Sequence, residues 1–148
     1  MSREAVVAEA KSWMGTPWHH QARVKGAGVD CANFVIAAYA NSGTMPDITL
    51  KQLGNYPRDW HIHKTEERFL TFVPNFAVEI TESELKPGDL ILFRIRSGRV
   101  FSHAAIVVDY PQGIHASLAD GSVVLCDFDR DHNLTECDRK FFTHKDWL

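Results

Sequence analysis

Pro87-Gly88-Asp89-Leu90-Ile91-Leu92-Phe93 and His103-Ala104-Ala105-Ile106-Val107-Val108-Asp109 are the two runs from which the fold is read. Each is a short apolar block rich in branched and aromatic residues beside turn residues, the composition of a strand. Outward from them, Phe76, Val78 and Ile80 alternate, and two further short runs are separated by turn residues. Strands are therefore predicted over 89–95, 103–109, 114–117 and 122–127. Upstream the period changes: apolar residues at 6, 7, 10, 13 and 14 behind a Ser2 cap predict a helix over 5–14, stopped by Gly15-Thr16-Pro17. Residues 18–28 show no period, and Gly26 and Gly28 indicate a loop. Asp30 then caps a second helix from 31 to about 41, with Phe34, Val35, Ala38 and Tyr39 on its buried face and Gly43 past its end. A third helix is predicted over 64–73. Helices first and strands afterwards predict an α+β fold, with N-terminal helices packed on one face of a central antiparallel sheet.

The chain has 148 residues, 45% of them hydrophobic and 24% charged, with a formal net charge of −3. One globular domain over 1–148 is expected, large enough to hold a core without disulfides or a structural metal. No repeat or low-complexity linker divides it. The longest apolar run, Phe34 to Ala40, is far short of the roughly 18 residues of a membrane span. Without a signal-peptide pattern at the N-terminus, synthesis in the cytoplasm is expected. A slightly acidic balance without clustered Lys and Arg argues against nucleic-acid binding. The three cysteines suit a reducing compartment and at most one working thiol, while eight histidines exceed what this length usually carries.

Cys31 falls in the first turn of the second helix, where unpaired N–H groups and the helix dipole favour a thiolate. Most cysteines are small buried hydrophobes, which suits Cys126 within an apolar run; Cys137, in a polar segment, has no helix start beside it. A nucleophilic thiol needs a base, and the base needs a group to fix its tautomer. His103 opens one predicted strand and His115 begins the next. A hairpin centred on Asp109 would set them opposite, whereas one centred on Pro111-Gln112 would offset them, and each alone is more often an ordinary surface or turn histidine. Zinc motifs are missing: His19-His20 and His61-x-His63 are loose pairs. Asp127-x-Asp129-x-Asp131-x-Asn133 imitates a calcium loop, but His132 stands where that loop requires glycine and Asp138 where it requires glutamate. It reads as a solvated acidic turn, and no metal or organic cofactor is expected.

The ordered series Gly15-Thr16-Pro17-Trp18, Val29-Asp30-Cys31, 87–93, 103–107 and Ile114-His115-Ala116-Ser117 resembles the NlpC-type cell-wall cysteine peptidases across nearly the whole chain. The resemblance implies a reduced papain-like fold and hydrolysis of peptidoglycan stem peptides between D-glutamate and a diamino acid. It assigns Cys31 as nucleophile, His103 as general base and His115 as the orienting third residue, with Asp30 as helix cap beside the nucleophile. His20-Gln21-Ala22 and Tyr56-Pro57-Arg58-Asp59-Trp60 are most similar to short forms encoded with phage tails and gene-transfer agents. That likeness implies tail proteins as partners and delivery to the wall on a phage-like particle.

Two departures from the family pattern stand out. Trp18 replaces the usual tyrosine, and His20-Gln21 replaces a Gly-Gly pair, so Trp18, His20 or Gln21 is the candidate donor to the oxyanion or substrate carbonyl. Cys31-Ala32-Asn33 stands where Cys-Ser-Gly is common. Two other readings remain open: a thiol amidase cutting another amide bond, and a tail-tip structural component with little or no catalysis.

Overall fold

The computed structural model describes residues 2–45, 68–95 and 100–148. Helix α1 (Arg3–Ser12) starts where Ser2 Oγ accepts from the Ala5 N–H at 3.1 Å. Strands β1 (Arg23–Val24) and β2 (Gly28–Val29) form a small antiparallel hairpin in the stretch expected to be a loop. Helix α2 (Cys31–Asn41) follows at once. The helix predicted over 64–73 falls partly outside the described residues; within them, α3 (Arg68–Phe72) runs into a 3₁₀ turn, Val73–Asn75.

Among the described residues six antiparallel strands make the main sheet: β3 (Ala77–Ile80), β4 (Leu90–Arg94), β5 (Phe101–Asp109), β6 (Gln112–Ser117), β7 (Ser122–Asp127) and β8 (Asp138–His144). Their order is β3-β8-β4-β5-β6-β7, so the last strand in sequence inserts between the first two. Strand β8 escapes sequence reading because it opens with Asp138-Arg139-Lys140 and has only Phe141-Phe142 as an apolar signal. Its place is decided by backbone pairing with Leu90 and Ile91 on one side and Ala77 to Ile80 on the other.

The central strands bury both faces, which is why they read as unbroken apolar runs. Leu90, Leu92, Ala104, Ile106 and Ile114 pack with α1 and α2. Ile91, Phe93, Ala105 and Val107 face the other way, under Phe128, Leu134 and Cys137. Helix α2 is therefore buried from Ala32 to Tyr39 and is more enclosed than a one-faced helix. Burial of its Phe34, Ile36 and Tyr39 contributes roughly 1.5–3 kcal/mol per side chain. Tyr39 donates its hydroxyl to the Gly88 carbonyl at 2.7 Å, which satisfies a phenol inside the core.

The turn before β4 is clamped to α1. Arg3 Nη1 donates to Asp89 Oδ1 at 2.8 Å and to the Pro87 carbonyl at 3.1 Å, and Asp89 is wholly buried. Gly88 adopts φ +91°, and a Cβ there would press on the Arg3 backbone at 3.2 Å, so glycine is required twice over.

Candidate active site

The β5–β6 pairing is the feature that opens a site. Ile106 pairs with Ile114, Val107 with Gly113 and Asp109 with Gln112, with an irregularity at Val108. The hairpin thus turns at Tyr110-Pro111, between the two centres considered from sequence, and the two histidines are offset rather than opposite. Pairing ends at Ile106 and Ile114, and the N-terminal part of β5 diverges from β6. The first turn of α2 lies at this opening: Cys31 Sγ is 3.6 Å from the carbonyl oxygen of Ser102, the residue before His103.

His103 and His115 project to the face away from the helices, on the side of Ala105 and Val107, as diagonal cross-strand neighbours. His103 Nε2 and His115 Nδ1 are 2.7 Å apart. The His103 ring packs against Phe93 and the His115 ring stands edge-on to Phe128. His115 is 3% exposed, and burial holds its imidazole below the ordinary range, opposed by the Asp131 and Asp120 carboxylates. The ring is neutral at physiological pH, so it bears one N–H and one lone pair.

The Cys31 thiol runs against expectation. Its position at a helix N-terminus predicts a lowered pKa, yet burial first and the adjacent Asp30 second hold it well above the ordinary thiol value. The backbone N–H groups of Ala32, Cys31 and Ala104 pull in the opposite direction without prevailing. A helix end supplies a few oriented donors, whereas removing a thiolate from water costs more than they return.

Asp30 is 2% exposed and caps α2: Oδ1 accepts from the Asn33 N–H at 3.0 Å and from Asn33 Nδ2 at 3.1 Å. Its Oδ2 accepts from the Gln21 N–H at 2.7 Å, so the same carboxylate also holds the loop before the hairpin. Gln21 sits at φ 60°, in the left-handed region. Trp18 bridges Val29 in parallel fashion, and its indole stacks on the His20 ring with centroids 6.5 Å apart. These three residues therefore line the segment beside the start of α2.

Cys126, expected to be a small buried hydrophobe, is half-buried against the Phe128 cluster, and it also reaches the histidine pair. Its Sγ lies 3.4 Å from His115 Nε2, continuing a line of contacts from His103 through His115. Burial first, then Asp131, Asp120 and Asp127, push this thiol up to about 12. The signal was available: a β6–β7 hairpin turning before Gly121 pairs His115 with Val124 and Gly113 with Cys126, which sets 115 and 126 diagonally on one face. Cys137 is buried, its Sγ donating to the Asn133 carbonyl at 3.2 Å. None of the three cysteines forms a disulfide. The acidic segment folds as local turns: Asp127 Oδ1 accepts from the Asp129 N–H, and Asp131 Oδ1 from those of Asn133 and Leu134.

A thiol at a helix N-terminus, packed on a sheet strand that carries a paired histidine, is the arrangement of the papain-like thiol hydrolases. Residues 15–138 match the NlpC/P60 family. The chain belongs to that family, the cell-wall peptidase group its motifs resemble. It is 33% identical over 113 residues to a "Probable endopeptidase NlpC" of Escherichia coli strain K12, an alignment covering 76% of this chain and 60% of that protein. The alignment thus spans about 60% of that relative's length. Among solved structures, the NlpC/p60 domain of the peptidoglycan hydrolase SagA superposes with a TM-score of 0.60 at 22% identity, covering 95% of this chain and 97% of that one. The peptidoglycan hydrolase RipB of Mycobacterium tuberculosis gives a TM-score of 0.60 at 22% identity, covering 96% of this chain and 63% of that one. Both likenesses concern the fold. Among the described residues no helix is long and apolar enough to cross a membrane.

Proposed function

We propose that residues 1–148 act as one cysteine endopeptidase unit that hydrolyses peptidoglycan stem peptides at the D-γ-glutamyl to diamino acid bond. The reading rests on one observation within a chain of this family: the 2.7 Å contact of His103 Nε2 with His115 Nδ1, on the strand whose Ser102 carbonyl meets Cys31 Sγ. Because His115 engages Nε2, the thiol exchanges its proton with Nδ1 of His103. His115 accepts from the Nε2–H of the imidazolium and holds the ring in the productive tautomer.

His103 takes the proton of Cys31, giving a thiolate–imidazolium pair that titrates as a unit, and the thiolate sulfur then attacks the amide carbonyl carbon. The backbone N–H groups at the start of α2 stabilise the oxyanion, and one such donor contributes about 2.7–4 kcal/mol. Trp18, His20 or Gln21 supplies a second donor or holds the substrate carbonyl. His103 then protonates the leaving amine, a water deprotonated by the same ring cleaves the thioester, and the acid product and free thiol are restored. No metal or organic cofactor takes part in these steps.

Delivery to the wall on a phage-like particle, through tail proteins as partners, follows from the short tail-encoded forms that 20–22 and 56–60 resemble; the latter lie outside the described residues. Purified peptidoglycan is incubated with the wild type and with Cys31→Ala, and soluble fragments are analysed by mass spectrometry. Fragments ending at γ-D-glutamate only in the wild-type digest are expected. Matching digests would overturn the thiol mechanism, and fragments of other mass would reassign the bond.

A further inference from the structure

On the sheet face opposite the helices, three side chains from separate segments converge beyond the histidine pair. His115 comes from β6, Cys126 from β7 and Asp131 from the turn after β7, and one ligand atom of each lies within 4.8 Å of the others. The His115 Nε2 to Cys126 Sγ separation is 3.4 Å. Two ligands on one tetrahedral zinc ion, with metal–nitrogen and metal–sulfur bonds of about 2.0–2.1 and 2.3 Å, lie about 3.5 Å apart. Asp131 is oriented by the turn itself, since its Oδ1 accepts two backbone N–H groups at 2.8 and 3.1 Å. Gly113, opposite Cys126 in the β6–β7 ladder, is the residue against which Phe128 packs, closing this face. An imidazole, a thiol and a carboxylate suit a thiophilic divalent cation and leave one coordination position for water.

We propose that His115, Cys126 and Asp131 form a binding site for Zn²⁺, and that its occupancy switches the peptidase off. The ion binds His115 Nε2, the Cys126 sulfur and an Asp131 oxygen, and the Cys126 proton is released to solvent. With Nε2 ligated, neutral His115 carries its proton on Nδ1 and donates it to His103 Nε2. His103 then holds its own proton on Nδ1, where it has no lone pair to accept the thiol's proton. Catalysis requires the reverse polarity, with His103 Nε2–H donating to His115. The site itself stands on geometry alone, while the switch rests on the peptidase reading.

The test separates the two. Zn²⁺ binding is measured by competition with a chromophoric chelator in Cys31→Ala, which leaves Cys126 and the buried Cys137 as the only thiols, and in the same background with Cys126→Ala or Asp131→Asn. One equivalent is expected in Cys31→Ala, weakened at least about tenfold by either second substitution. Co²⁺ in its place is expected to give a thiolate charge-transfer band that disappears with Cys126→Ala. Thermal unfolding confirms that each variant is folded, and Cys126→Ser replaces Cys126→Ala if it is not. Binding that ignores Cys126, or a missing cobalt–thiolate band, overturns the site. For the switch, peptidoglycan release with and without Zn²⁺ is compared as a ratio in wild type and Asp131→Asn. Inhibition that requires about tenfold more Zn²⁺ in the variant supports it, and equal sensitivity despite weakened binding overturns it. Were the enzyme inactive even without zinc, the peptidase reading and the switch would fall, and the binding measurements would still decide the site.

Discussion

Nε2 of His103 and Nδ1 of His115 meet at 2.7 Å with their ring planes 82° apart. Two ring nitrogens that close require one proton between them, so the pair fixes the tautomer of both rings together. His115→Ala is expected to lower kcat by about 10²-fold with KM little changed, because in the proposed mechanism the lost interaction acts on His103 and not on the substrate. His115→Asn recovers part of the loss, since a carboxamide oxygen accepts from Nε2–H. Steady-state kinetics on peptidoglycan fragments checks both, and an unchanged kcat in His115→Ala removes the orienting role.

Asp30 holds α2 and the preceding loop through three hydrogen bonds, and its charge raises the thiol beside it. Asp30→Ala is expected to cost about 3 kcal/mol, from a lost cap and buried donors left unpaired. Asp30→Asn can keep the cap through one oxygen but sets an NH2 group against the Gln21 N–H donor and loses that bond; with the charge removed, the Cys31 pKa falls and alkylation by iodoacetamide at neutral pH speeds up about threefold or more. Denaturant unfolding and labelling rates followed by mass spectrometry measure the two effects.

Burial lowers the His115 pKa from its ordinary 6.5. Between that value and the lower folded one, the unfolded chain binds a proton that the folded chain does not. Stability from this group is complete above pH 6.5 and is lost as pH falls from there through the folded value. His115→Asn is expected to show a shallower loss of urea midpoint over that window, with no difference in slope above it. Identical pH profiles in the two proteins contradict this.

Gly113 has no room for a methyl group. A Cβ there would stand 2.6 Å from the Ile106 carbonyl oxygen and 2.6 Å from Phe128 Cε2. The carbonyl belongs to the β5–β6 ladder and cannot yield, so the Phe128 ring, which stands edge-on to His115, has to shift. Gly113→Ala is expected to destabilise by about 3 kcal/mol and to reduce turnover. Gly121→Ala, where the surroundings are open and only a φ of +78° is strained, costs about 1 kcal/mol. Comparing the two unfolding curves separates clash from backbone strain.

Local chemistry made much of the fold legible. Ser2 and Asp30 mark helix starts because short polar side chains satisfy the first unpaired N–H groups. The runs at 89–95 and 103–109 announce strands because both of their faces are covered. Strand β8 was illegible, since a polar strand is made by the two neighbours it joins. The small hairpin of β1 and β2 was hidden for a similar reason: with two residues each, its strands carry no period.

For the site, the order of residues nominated Cys31, His103 and His115 as candidates and left their geometry open. Sequence by itself determined which groups able to do thiol chemistry exist and which local elements carry them, because capping, periodicity and turn formation act over a few residues. Tertiary structure alone decided that the β5–β6 hairpin turns at Tyr110-Pro111, that His103 meets His115, and that Cys126 and Asp131 gather behind them. It also reversed the expected direction of the Cys31 pKa. Register and desolvation depend on what packs around a residue from distant parts of the chain, and spacing along the chain does not carry that information.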